Sequence, residues 1–461
     1  MGKQQSISER ASDMGTGETK PPLGFLMCLA LVVGNMIGSG VFLLPAALAP
    51  FGWNAIFGWI LTIGGSFCIA FVFARLARSF PLIGGPYVYA RLAFGEAPAF
   101  ALSWSYWISI WIVNAVLSIA AVSYLSKFVP DIARISGLPA ILAIGFVWLF
   151  TFINCISIRA AGGVQMVTTI LKLLPLIAAI VITTIVIAGD GGASLAPLDW
   201  SDMNAPAITS AATLTLWAMV GFEAVTIPAG RIKDPQRNIP RATLYGVLIA
   251  GAVYLLACSG VALLLPAEQA AQSNAPFADF VGAYWGTGPA LLVALFAAIS
   301  ALGALNGWVL VQGELPFAMA RDGIFPRWLA VASKTGMPIR AQIVSSGLST
   351  ALLLINYQRT MADLFVFMVL LGTVSVLITY LICTLGALKL IRTGKMQRSN
   401  LVTVAATIGF FYSLWAVYGA GTEATGWGAV LLISGVPVYI FMRRSNQAAA
   451  GIPVASPESV A

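Results

Sequence analysis

Glu223 and Lys172 stand inside long apolar runs, and histidine is absent from all 461 residues. Glu223 directly follows Trp217-Ala218-Met219-Val220-Gly221-Phe222, and Lys172 lies in Leu171-Lys172-Leu173-Leu174-Pro175. Without imidazole, proton chemistry must use a carboxylate, a lysine or the bound molecule itself. An ionised carboxylate in an apolar span is costly to keep, so Glu223 is a candidate proton-sensitive gate. A buried lysine is a candidate for releasing its proton, against the plainer reading of an ammonium snorkelling to the headgroups. Glu314, at the end of an apolar run, reads as snorkelling or pairing with an arginine. The five cysteines (Cys28, Cys68, Cys155, Cys258 and Cys383) all lie in apolar segments, and none has metal or redox spacing. No catalytic residue, metal site or cofactor is read from this pattern.

Two glycine-marked interruptions supply a different chemistry. The first is Gly34-Asn35-Met36-Ile37-Gly38-Ser39-Gly40 followed by Pro45; the second is the run from Trp217 to Glu223 followed by Pro228. Unwound backbone is tolerated in lipid only where it lines a cavity. Amides at Ser39 and Gly40 would present the positive end of a half-helix to a carboxylate. Carbonyls freed near Met36, Trp217 and Val220 would face an ammonium. Together they form an amino-acid-shaped site made of backbone, placed as in secondary transporters. The competing reading is that these glycines only let helices pack closely.

The elements that must hold such a site are membrane helices. The chain is 59% apolar and 9% charged, whereas a soluble domain carries roughly 25% charged residues. Twelve apolar segments are long enough or nearly so: 23–49, 54–78, 98–126, 138–157, 163–188, 207–230, 241–264, 288–312, 341–356, 362–387, 399–419 and 424–442. The ninth is the shortest. With the N-terminus inside, 21 of the 25 lysines and arginines fall on the cytoplasmic side. Only Lys127, Arg134 and Arg359 fall outside, and Lys172 lies within a span. This asymmetry places both termini in the cytoplasm and accounts for the net charge of +8 without nucleic acid. Residues 1–22 and 445–461 read as disordered tails and 23–444 as one transporter domain. The interruptions open two five-helix units, about 23–190 and 205–390, followed by two extra helices at about 399–442. Five is odd, so the units run with inverted topology.

At these motifs the sequence resembles the amino acid–polyamine–organocation (APC) superfamily. Within it the sequence is most similar to the basic amino acid/polyamine antiporters of the arginine/agmatine kind. Beyond the two interruptions, the resemblance is carried by Gly84-Gly85-Pro86-Tyr87-Val88-Tyr89-Ala90-Arg91, Tyr106-Trp107, Trp111, Asn114, Lys233-Asp234-Pro235-Gln236-Arg237-Asn238-Ile239-Pro240, Gly307-Trp308 and Asp322-Gly323-Ile324-Phe325-Pro326. It implies the LeuT-type fold, an all-α polytopic body with a 5+5 inverted repeat, broken helices 1 and 6, and two C-terminal helices. A bundle of spans one, two, six and seven would rock against a scaffold. Substrate contacts are implied for Asn35, Met36, Ile37, Gly38, Ser39, Gly40, Asn114, Trp217, Val220 and Trp308, with Asn114 and Trp308 at the distal side chain. Gating is implied for Tyr106, Trp217, Glu223 and Tyr380. A homodimer in the bacterial inner membrane is implied as well.

The sequence departs from that pattern at four places. Lys172 replaces a small apolar residue of the arginine antiporters; other superfamily members have lysine there, where it stands in for a sodium ion and couples protons. Ser109, Ile110 and Gly372 replace alanine, cysteine and serine in the distal pocket. The expectation is therefore exchange of cationic amino acids or their amines, of the arginine/agmatine or ornithine/putrescine type. Its rival is a proton-coupled permease using Lys172. A membrane enzyme would need clustered histidines or carboxylates, and a channel would need rings of like groups. A non-transporting sensor or scaffold would bind substrate without flux.

Overall fold

The computed structural model describes residues 24–449 except 39, 83, 157, 227, 228, 230, 231, 334 and 335, with only the backbone course described for 158–170 and 447–449. Ser39, Pro228 and most of both expected tails lie outside the described residues. Among the described residues every regular element is a helix; apart from short helical turns such as Asp131–Arg134 and Ala267–Ala271, sixteen are labelled. In chain order they are α1 Phe25–Met36, α2 Gly40–Leu48, α3 Trp53–Ser79, α4 Pro86–Phe94, α5 Glu96–Leu125, α6 Leu138–Ile156, α7 Ile158–Asp190 and α8 Ala205–Ala218. They continue as α9 Pro235–Leu264, α10 Pro276–Trp285, α11 Thr287–Arg321, α12 Ile339–Ile355, α13 Met361–Arg392, α14 Asn400–Gly419, α15 Gly421–Ile433 and α16 Gly435–Ala449.

Among the described residues ten helical segments are long and apolar enough to cross a membrane, or eleven where α1 and the helix after it, bent by 43°, count as one span. The helix α12, of 17 residues, is shorter and stands where the ninth span was expected. A helix rises 1.5 Å per residue, so 17 residues cover roughly 25 Å, the lower limit for crossing. Two helices were not anticipated. The glycine–proline motif at 84–91 opens α4, and the connection after α9 carries α10; both are too short for a hydropathy reading to register. The last span is also divided, with α15 ending at Ile433 and α16 starting at Gly435. The latter continues past Arg444 to Ala449.

The helices sort into two groups by packing. One contains α1, α2, α3, α8 and α9: α3 lies along α8 and α9, α1 lies along α9, and α2 touches both α8 and α9. These are the first, second, sixth and seventh spans. The other group joins α5 to α6, α11 and α12, with α7 against α11 and α13 against α5. Most of α5 is buried, because helices cover it on nearly every side.

Polar pairs fix the register between helices, since an unpaired hydroxyl in hydrocarbon would be costly. Thr62 Oγ1 on α3 donates to Ala212 O (2.8 Å) and lies 2.7 Å from Thr215 Oγ1, both on α8. Tyr412 Oη on α14 donates to Thr62 Oγ1 (3.2 Å), and Thr213 Oγ1 donates to Ala416 O (3.2 Å). The start of α8 is capped by Asn204, whose side chain accepts from Ala207 N at 2.8 Å. Asn54 at the start of α3 accepts from Asn204 N at 3.1 Å.

Candidate functional site

The two interruptions face each other. In span one, α1 ends at Met36 and its last regular bond is Ile37 N to Val33 O (2.8 Å). Gly38 N then turns to Met36 O (2.8 Å), so Gly34 O loses the donor a continuous helix would give it. In span six, α8 ends at Ala218, Val220 N bonds Trp217 O (3.2 Å), and a 3-10 turn follows over Phe222–Thr226. Between them Gly221 has φ +115, and a methyl group there would come within 3.2 Å of the main-chain carbon and oxygen of Asn35. Only glycine allows both that φ and that approach. The breaks are tighter than expected. The carbonyl of Met36 accepts from Gly38 N, and that of Trp217 from Met219 N and Val220 N.

Lys172 supplies the missing donor. Its Nζ reaches from α7 to Gly34 O at 3.2 Å, and the residue is 1% exposed. Among the described residues no carboxylate pairs with it; the four ion pairs lie elsewhere. The snorkelling alternative is corrected: the ammonium is buried against the carbonyl of the broken helix.

Glu223, fully buried, sits in the 3-10 turn beyond Gly221. Its Oε2 accepts from Tyr380 Oη (3.0 Å) and from Gly221 N (3.1 Å), and its Oε1 accepts from Tyr106 Oη (3.3 Å). Oε1 can take a proton if the Tyr106 hydroxyl turns round, which leaves Oε2 accepting from both Gly221 N and Tyr380 Oη. An aromatic cluster holds the group: Phe222 stacks on Tyr380 at 5.5 Å, and Phe73 stands edge-on to each at 5.8 Å. Three of the four side chains expected to gate, Tyr106, Glu223 and Tyr380, thus converge from α5, the turn and α13.

Trp217 is wedged between two glycines. A methyl group at Gly40 would lie 2.6 Å from its Cδ1, and one at Gly372 would lie 2.4 Å from its Cζ3. The indole therefore bridges α2 and α13, and the space beside Gly372, where the arginine antiporters have serine, is filled by this ring. Ser109 Oγ donates to Tyr106 O (2.7 Å) in its own helix, so its proton is already committed. Ile110 is fully buried. Asn35, Val220 and Trp308 are half-buried. Asn114 Nδ2 donates to Gln312 Oε1 at 2.7 Å. The sequence reading passed over Gln312, although a carboxamide one turn after Trp308 in an apolar run was the signal that could have found it.

A helical membrane body whose two interrupted helices meet at its centre defines a multi-pass transporter of the broken-helix type. The chain belongs to the amino acid permease family, whose profile matches residues 23–442. It is 35% identical to the cadaverine/lysine antiporter of Escherichia coli (strain K12), over 89% of this chain and 93% of that one. It is 28% identical to the putrescine transporter PotE of Haemophilus influenzae, over 91% and 97%. It is 26% identical to PotE of Escherichia coli (strain K12), over 90% and 95%. These relatives are transporters of amino acids and polyamines, in keeping with the resemblance read from the motifs.

Proposed function

We propose that this protein exchanges a cationic amino acid for a decarboxylated diamine across the bacterial inner membrane by alternating access. The observation that carries the reading is the apposition of the two breaks at Asn35 and Gly221, beside a Tyr–Glu–Tyr cluster. The substrate carboxylate meets the amides opening α2 at Ser39 and Gly40, and its ammonium meets the carbonyls of Met36, Trp217 and Val220. The distal amine lies toward Asn114 and Trp308, where an indole face contributes ~2 kcal/mol to a desolvated cation. Trp217, Tyr106, Glu223 and Tyr380 gate. Both termini are cytoplasmic, the two five-helix units are inverted repeats, and the group of α1, α2, α3, α8 and α9 moves against the rest. A diamine lacks the carboxylate, so it engages only the carbonyl and distal parts of the same site. The kinship with the lysine/cadaverine and putrescine transporters supports this substrate class.

The test is uptake of labelled lysine into liposomes holding the purified protein. Uptake should require internal cadaverine, putrescine or lysine and be negligible into empty vesicles. The second reading, proton-coupled uptake, is favoured by Lys172 at the freed Gly34 carbonyl. It would give uptake into empty vesicles under an inward proton gradient.

Glu223→Gln should fix the gate in its protonated arrangement, because the amide donates to Tyr106 while its oxygen still accepts from Tyr380 and Gly221. Exchange by this variant is expected to vary little with pH and to match the parent's rate at acidic pH. A pH profile superimposable on the parent's would show that Glu223 does not set it.

A further inference from the structure

We propose that Gln312 is a positioning residue that sets substrate preference by fixing which way the Asn114 carboxamide points; this rests on the distal-subsite reading above. A chain of hydrogen bonds leads to Asn114. Thr151 Oγ1 on α6 donates to Val147 O at 2.7 Å. With its one proton used there, Thr151 receives the 2.6 Å contact from Ser346 Oγ on α12. Ser346 therefore accepts from Gln312 Nε2, at 2.7 Å. That turns Gln312 Oε1 toward Asn114, which can meet it only with its Nδ2, at 2.7 Å. Ser346 and Gln312 thus hold the Asn114 amide with its Nδ2 toward Gln312. Asn114 Oδ1 is what remains, a buried acceptor with no donor among the described residues.

The location of this acceptor gives it a use. On a helix turning about 100° per residue, Asn114 lies about 80° from Tyr106 and about 20° from Trp107. Tyr106 faces Glu223, whereas Trp107 Nε1 bonds Ser345 Oγ on α12 at 2.9 Å. Asn114 thus lies on the face packed on α12, on its side toward the gating face. Gln312 follows Trp308 by one helical turn, on the same side of α11. A buried orphan acceptor selects for a ligand that donates at that point and against one that cannot. Lysine, with its distal ammonium, satisfies it; norleucine, identical but for that amine, leaves it unpaired.

The experiment measures displacement of labelled lysine by lysine and by norleucine, using the purified full-length protein. In Gln312→Met the Asn114 amide is free to turn, and the preference for lysine is expected to fall roughly tenfold to a hundredfold, the range for a hydrogen bond to a charged group. Gln312→Glu still accepts from Asn114 and should keep at least the parent's preference. Ser346→Ala frees Gln312 to turn and should give a smaller loss, which serves if Gln312→Met does not fold. A parental preference in folded Gln312→Met or Ser346→Ala, alongside a lost preference in Asn114→Leu, overturns the role of Gln312 and leaves the distal subsite standing. A parental preference in Asn114→Leu, or a parent that does not distinguish the two ligands, overturns both.

Discussion

Gly372→Ala is expected to lower transport at least tenfold and to reduce stability by roughly 1–3 kcal/mol, the range for an overpacked core. The added methyl group would overlap the Trp217 ring at 2.4 Å and come within 3.2 Å of Ile112 Cγ2. The indole can give way only toward Gly40, where its other edge already occupies the space of a side chain. A flexible neighbour would relieve such an overlap at little cost; a ring held at both edges cannot. The check is a double-mutant cycle with Trp217→Phe, read by thermal unfolding in detergent. The smaller ring should recover much of the stability lost to Gly372→Ala, a coupling expected of residues in contact. Strictly additive losses would mean that the two do not press on each other. Gly40→Ala, acting from the opposite edge, should behave in the same way.

Lys172→Met is expected to reduce exchange roughly tenfold to a hundredfold, matching the ~1.5–3 kcal/mol of a hydrogen bond from a charged donor. The variant keeps the length and apolar stem of the side chain but leaves Gly34 O without its donor inside the membrane. The affected carbonyl belongs to the last turn of α1, so the loss should fall on the orientation of the break and on substrate affinity. Exchange at the parent's rate would refute the tether. The same variant separates the two functional readings. If the parent accumulates lysine in empty vesicles under a proton gradient, loss of that response with exchange retained makes Lys172 the coupling group.

Much of this arrangement was legible in the sequence because the membrane simplifies what a residue can mean. Glycines and a proline interrupting an apolar run, as at Gly34–Gly40, mark unwinding, and a carboxylate such as Glu223 in such a run has few bland explanations. Convergence of Tyr106 and Tyr380 on that carboxylate was not legible from residue types. The two lie more than 100 residues from Glu223 in sequence, and only the family resemblance pointed to them. What fills the space beside Gly372 was not legible, because a missing side chain can be replaced by a neighbour, here Trp217, as easily as left open. The role of Gln312 was out of reach, since it depends on contacts with Asn114 and Ser346 on two other helices. Helices α4 and α10 were missed for a plainer reason: nine and ten residues cannot span a bilayer, and hydropathy registers only what can.

The tether from Lys172 ends on a main-chain oxygen, and that makes its acceptor invisible to genetics. Every substitution at Gly34 keeps the same carbonyl, so a mutational scan of span one would report side-chain crowding and never the loss of this bond. Selection meets the same restriction. The interaction can be lost through the lysine alone, and no second-site change of side chain can take over the acceptor's part. Weakening the oxygen itself requires altered backbone chemistry, such as an ester linkage installed at residue 35.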